Sequence, residues 1–130
     1  MAVGLASGVA AAWLDALCNA QDYTAPTGFF VKLHVGDPGA AGAGNPAGET
    51  TRQSASMAAA SGGTITNDTA VTWTNVSTPE TYSYVSFWSA AVAGTFLGSD
   101  DLTAPVAVVA GNTFTIPVGD LDLAITPIAA

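Results

Sequence analysis

Few side chains in this sequence are equipped for chemistry. There is one histidine, His34, one cysteine, Cys18, and two bases, Lys32 and Arg52, set against ten acids. A metal site or a Ser-His-Asp relay built on His34 needs partners that the sequence does not place, so a structural or surface histidine is expected. Asp100-Asp101 and Asp120-x-Asp122 offer carboxylate oxygens to a calcium ion. The ligand spacing of a calcium-binding loop is absent, and the expectation is solvated carboxylates at strand ends. Asp37 and Glu49 flank a glycine-rich stretch and have the side chains of a paired-carboxylate site, whose separation the sequence does not set. The glycines between them do not follow the phosphate-cradling pattern, and no lysine comes after them. Asn67-Asp68-Thr69 and Asn75-Val76-Ser77 match glycosylation acceptors but carry no weight without a secretory leader. Neither an enzyme, nor a metal, nor a cofactor is expected from these residues. Arg52, close to Glu49 in sequence, is read either as an ion-pair partner for an acidic loop or a neighbouring subunit, or as an ordinary surface arginine.

Charge and composition exclude further classes. A net charge of −8 leaves no basic footprint for nucleic acid, and the same sign argues against an anionic membrane surface. Charged residues make up 9% of the chain, against about 25% in ordinary soluble domains. With a mean hydropathy of +0.41, this points to a surface covered in part by neighbours in an assembly. One cysteine excludes an internal disulfide or a cysteine-rich zinc site, and Cys18 is expected as a small buried residue. The N-terminus lacks a basic region ahead of its apolar residues, and no run is long enough to span a bilayer. The chain is expected to be soluble and to fold in a reducing cytoplasm.

The elements that must position these residues read as one domain over 1–130. Apolar residues at three-to-four spacing, Leu5, Val9, Trp13 and Leu17, predict a helix over about 3–19. Phe29 to Val35 alternates as a strand. The segment Gly36–Glu49, opening on the turn formers Asp37-Pro38-Gly39, has no periodicity and is expected as an exposed loop contacting a partner. A weak strand is predicted over Thr51–Ala59 and a short one over Thr64–Thr66. Val71–Val76 and Tyr82–Trp88 alternate as two strands joined by a polar turn, and are expected to pair and to supply the core aromatics Trp73, Tyr84, Phe87 and Trp88. Thr95–Gly98 reads as a strand, Asp100-Asp101 as the start of a connection, and Leu102–Val109 as an edge run because of Pro105. Two alternating strands, Thr113–Val118 and Leu121–Thr126, close the chain. Short strands with glycine and proline punctuation predict a mainly β fold, a jelly-roll-like antiparallel β-sandwich over about 29–126, with one N-terminal α-helix.

Leu33-His34-Val35-Gly36-Asp37-Pro38-Gly39 carries a resemblance. It is similar to an L-H-x-G-D-P-G motif that follows an N-terminal helix in small virion proteins of tailed actinobacterial phages. The similarity continues through Asn45–Arg52, Val71–Val76, Thr81–Trp88 and Gly94–Gly98, covering roughly residues 10 to 102. Such proteins are described as tail-fibre-like, minor tail, head-fibre or capsid decoration proteins, and the resemblance implies no enzymatic activity.

Among these, a domain without heptads or collagen-like repeats has no shaft of its own. A compact, acidic, sparsely charged domain suits a decoration protein cementing the major capsid protein lattice, bound to the outer capsid surface as a homo-oligomer, expected to be a trimer, after synthesis in the bacterial cytoplasm. The alternative is a minor tail or tail-fibre-tip protein that binds a host surface. Candidate contacts are Gly36, Asp37, Pro38, Gly39, Asn45, Glu49 and Arg52 around the loop, and Leu5, Val9, Trp13 and Leu17 on the helix.

Overall fold

A computed structural model describes residues 4–125. The chain runs β1 (Gly4–Leu5), α1 (Ser7–Asn19), β2 (Phe30–His34), β3 (Gln53–Ser54), β4 (Thr64–Thr66), β5 (Val71–Trp73), β6 (Glu80–Trp88), β7 (Phe96–Val108), β8 (Phe114–Ile116) and β9 (Asp122–Ala124). Five strands form one antiparallel sheet in the order β1-β7-β6-β2-β3, and two smaller antiparallel pairs, β4-β9 and β5-β8, complete the fold. This is the mainly β, antiparallel architecture with a single helix near the N-terminus that the alternating pattern predicts.

The core lies between the large sheet and the two pairs. Val31 and Leu33 from β2 and Tyr82, Val85 and Phe87 from β6 are completely buried, and they meet Val71, Trp73, Phe114, Ile116 and Leu121 from the other side. Tyr82 sits edge-on to Phe114 at 5.0 Å, Trp73 lies 5.9 Å from the same ring, and Phe29 stacks on Phe87 at 4.9 Å. Such ring pairs contribute about 0.5–1.5 kcal/mol each beyond their buried area. Asn67, also buried, ties the pairs together: its Nδ2 donates to the carbonyls of Thr69 and Pro117, and its Oδ1 accepts from the amides of Gly119 and Leu121.

The structure departs from several sequence expectations. The helix begins at Ser7, because Gly4 has φ +116° and the amide of Ala6 already bonds to Leu97 on β7. Leu5 therefore belongs to β1, paired with Gly98, and the predicted helix start at Val3 lies outside the described residues. The expected pairing between 71–76 and 82–88 does not form. β5 pairs with β8 in the register Trp73↔Phe114, while β6 pairs with β2 and β7. Alternation tells which face a residue takes and says nothing of which strand lies alongside. The weak strand expected over Thr51–Ala59 shortens to β3. Residues 96–108 are one long strand, so Asp100 and Asp101 are strand residues and not a connection. Pro105 is accommodated by an irregularity: Tyr84 pairs with Asp101 and Tyr82 with Val106, which leaves Leu102–Pro105 opposite a single residue of β6. The strand expected over Leu121–Thr126 shortens to β9, without Leu121 and Ile125, and Thr126 lies outside the described residues.

Of the aromatics assigned to the core, Trp73 and Phe87 are buried, whereas Tyr84 and Trp88 are half-buried and Tyr82 lies inside. The same irregularity in β6–β7 separates Tyr82 from the register of Tyr84. Cys18, expected inside, is exposed on α1. No helix of the described residues is long and apolar enough to cross a membrane.

Candidate interaction site

The glycine-rich segment from Gly36 to Glu49 leaves the end of β2 and returns beside it. The amide of Val35 bonds to Asn45 O at 2.9 Å and the amide of Ala47 to Leu33 O at 3.1 Å, so residues 45–47 run antiparallel to the last residues of β2. Within the loop the predicted turn forms. Asp37 Oδ1 accepts the Gly39 amide at 2.8 Å, Asp37 O accepts from Asn45 Nδ2 at 2.9 Å, and Pro38 O accepts the Gly44 amide at 2.7 Å. Pro38 is fully buried beneath this turn. Gly42 is buried too, at φ +71°, and a Cβ there would run into the ring of Phe96. Ala40, Ala41, Ala43, Asn45 and Pro46 face solvent, giving the loop a small, uncharged outer surface.

A chain of hydrogen bonds fastens this loop to the sheet. His34 Nδ1 lies 2.7 Å from Gly44 O, and a carbonyl can only accept, so Nδ1 carries the proton. Nε2 is then the acceptor for the Ser86 hydroxyl at 2.7 Å. Ser86 Oγ in turn accepts from Trp88 Nε1 at 2.7 Å. Each donor has one acceptor, with the imidazole neutral. Burial pushes the His34 pKa down, opposed by its bond to the Gly44 carbonyl and reinforced by Lys32. Both ring nitrogens are occupied by structural bonds, so the ring acts as a staple.

Arg52 continues the assembly. Its guanidinium lies 4.1 Å from the centre of the Trp88 ring, and Nη1 donates to Ala90 O at 2.9 Å and Ala93 O at 2.6 Å. It therefore holds the turn between β6 and β7, a role that neither the ion-pair reading nor the surface-arginine reading described. The far face of this corner is Phe96, 5.4 Å from Trp88 and in contact with Gly42. Glu80, at the start of β6, secures the other end of the loop: its carboxylate accepts the amides of Gly48, at 2.8 and 3.0 Å, and of Glu49, at 3.3 Å. Trp73 Nε1 donates to Thr51 O at 2.8 Å just beyond.

Contacts thus link Gly36, Asp37, Pro38, Gly39 and Asn45 through His34 and Ser86 to Trp88, and through Gly42 to Phe96, with Arg52 over Trp88 and Glu49 held apart at the start of β6. Leu5, Val9, Trp13 and Leu17 lie on β1 and α1, and Val9 lines a cavity with Ala90 and Phe96 of the corner. Val9 is the one buried helix residue; Leu17 is 81% exposed and Trp13 37%. Sequence reasoning missed Ser86, Glu80 and Phe96, the residues that secure the loop. The signal available was the polar Ser86 amid alternating apolar residues, whose partner lies far away in sequence.

Three other titratable groups are perturbed, and for Arg52 burial lowers the guanidinium pKa. Burial, with Glu80 and Glu49 nearby, pushes the Tyr82 phenol up to about 12. Burial also raises the Asp100 carboxyl to about 6, with Asp122 and Asp101 adding to the rise while the Asp122 amide, bonded to Asp100 Oδ2 at 3.2 Å, opposes it. Asp100 is therefore not the solvated carboxylate expected.

Residues 4–124 match the model of a protein family described as Podophage GP4 fiber I protein gp80. The chain belongs to this family. No curated protein matches it. Membership in a phage fibre family makes the chain a virion structural protein, in line with the coarser part of the resemblance. The match extends beyond the resemblance at both ends, taking in β1 at one end and β8 and β9 at the other.

Proposed function

We propose that this protein is a non-catalytic module of the phage fibre apparatus, which uses the stapled Gly36–Glu49 loop and the adjoining Arg52–Trp88 corner to grip another virion protein. The observation that carries this reading is the His34–Ser86–Trp88 chain, which fixes a loop whose exposed outer residues are small and uncharged. A loop already held in one shape loses little conformational entropy when it docks, so a modest contact area suffices. The small exposed residues Ala40, Ala41 and Ala43 allow close approach of a partner backbone. The net charge of −8 favours a protein partner over nucleic acid or an anionic membrane.

A second reading, decoration of the major capsid lattice, is favoured by compactness. The described residues contain one 13-residue helix and no repeating shaft, which suits a subunit lying on a lattice. Quantitative mass spectrometry of purified particles separates the two. A handful of copies per virion supports the fibre apparatus; one copy per few capsid subunits overturns it in favour of decoration. Loss of incorporation on replacing Asn45-Pro46 with Gly-Gly, in a protein that still folds, is the outcome expected if the loop makes the contact.

A further inference from the structure

We propose that the His34–Ser86–Trp88 chain is a proton switch, in which one proton on His34 Nε2 frees the Gly36–Glu49 loop and loosens the Arg52–Trp88 corner with it. The chain is fixed at both ends. Gly44 O can only accept a hydrogen bond, and Trp88 Nε1 can only donate one. One arrangement of hydrogens between them gives every donor an acceptor: Nδ1–H to Gly44 O, the Ser86 hydroxyl to Nε2, and the indole N–H to Ser86 Oγ. A proton on Nε2 turns that nitrogen into a donor. Ser86 Oγ then faces two donors, the imidazolium and the indole. Its own hydrogen is displaced from Nε2 and has no other acceptor in place among the described residues. His34 and Ser86 are both fully buried, so water does not replace the lost bond. A buried polar group without a partner is costly and a buried charge more so, and opening the loop hydrates both. Trp88 passes the change to the corner. Its ring lies 4.1 Å from the Arg52 guanidinium, which holds the β6–β7 turn through Ala90 O and Ala93 O.

The surroundings do not neutralise the added charge. In the register of the sheet, Lys32, His34, Tyr84, Ser86, Ser99 and Asp101 share one face. Lys32 and, over Trp88, Arg52 are positive. Asp101 lies two strands from His34, about 10 Å at ordinary strand spacing, with Tyr84 between them. On the loop, the Asp37 carboxylate accepts the Gly39 amide, and Glu49 meets Glu80 at the far end. No carboxylate bonds to the ring, because Gly44 O and Ser86 Oγ take both nitrogens. Burial lowers the His34 pKa from 6.5, the Gly44 carbonyl opposes this, and Lys32 reinforces it. The open loop returns the ring to its ordinary pKa, so the closed form is favoured above about pH 6.5 and gives way progressively below it. Asp100, which also titrates near pH 6, is on the opposite face, in line with Val85 and Leu33 and bonded to the Asp122 amide.

That acid would also loosen the grip on a virion rests on the proposed function; the switch itself does not. Its test uses purified full-length protein with no virion present, so it can fail while the proposed function stands. An NMR titration follows the His34 ring. Hydrogen exchange, corrected for the intrinsic rate at each pH, follows the Val35 and Ala47 amides that join the loop to β2. At neutral pH the ring is expected as the Nδ1–H tautomer. Below pH 6.5 the protection of those two amides should fall by up to about tenfold per pH unit until the folded ring takes the proton, while the β5–β8 amides stay protected. Trp88→Phe keeps a ring under Arg52 and removes the competing donor. Ser86 Oγ is then free to accept from the imidazolium, so His34 should protonate at higher pH and the total loss of loop protection should shrink. An Nε2–H tautomer at neutral pH overturns the proposal. So does loop protection that holds until the whole chain unfolds, or a Trp88→Phe protein that loses loop protection as steeply as its parent.

Discussion

The Gly36–Glu49 loop has no regular secondary structure, and it is fastened by His34 on β2, Glu80 on β6 and Phe96 on β7. α1 is regular along its whole length and buries only Val9 fully, with Ala10, Ala12 and Ala16 half-buried and Trp13 edge-on to Tyr23. In the loop, side-chain bonds between distant residues fix an irregular backbone. In the helix, local backbone bonds fix the conformation but leave the element weakly attached. Regularity and integration into the fold are separate properties, and in this molecule they have been assigned to different segments.

The sharpest way to break the contrast is to remove the staple. His34→Ala deletes a buried ring and leaves Gly44 O and Ser86 without their partner, so it should cost about 2–4 kcal/mol in urea unfolding. Hydrogen exchange should show the 36–49 amides opening while those of α1 are unchanged. A change under about 0.5 kcal/mol, the level of an ordinary surface substitution, would mean that the loop is not held through this residue. Next in size is Gly42→Val, which places a branched side chain against Phe96 at φ +71°. The expected cost is about 1–3 kcal/mol in thermal or denaturant unfolding.

Acid should distinguish the loop from the helix as well. The unfolded chain takes up a proton on histidine near its ordinary pKa of 6.5, while the folded chain resists because the His34 pKa is lowered. The unfolded state then binds more protons, and stability falls as pH drops below about 6.5. Asp100 acts in the opposite sense. Its folded pKa is raised to about 6 from 3.8, so the folded state holds a proton that the unfolded state has released, and stability rises as pH falls through that interval. Asp100→Asn keeps an oxygen for the Asp122 amide and removes the buried charge. It should add about 1 kcal/mol at pH 7 and expose the acid-side loss due to His34 as the pH drops below about 6.5. A stability curve that stays flat there in Asp100→Asn would contradict the neutral-imidazole staple. The smallest effect belongs to the helix: Leu14→Gln and Leu17→Gln should each change monomer stability by less than about 0.5 kcal/mol, measured at low concentration.

Much of the fold was legible because burial in strands leaves a period-two trace. Val31 with Leu33 and Val71 with Trp73 announced their faces, and Asp37-Pro38-Gly39 announced its turn through local chemistry. Partners were not legible. The pairings of Trp73 with Phe114 and of Phe87 with Val31 and Gly98 depend on chain crossings that leave no local mark. The loop was recognisable as a place of interest from its composition, but its rigidity was not, since glycine and proline describe a flexible connection and a tightly packed one equally well. Leu17 shows the converse difficulty. An apolar residue at helical spacing predicts burial and does not say whether the covering surface lies in the same chain.

The bond between His34 and Ser86 joins positions 52 residues apart. It cannot form until β2 and β6 have found their register, so the loop is set in place late in folding, after the long-range pairing on which it rests. The surface proposed to grip the virion is therefore absent from incompletely folded chains. A growing particle would meet a binding-competent loop only on subunits whose central sheet is already complete, so attachment itself would select finished molecules.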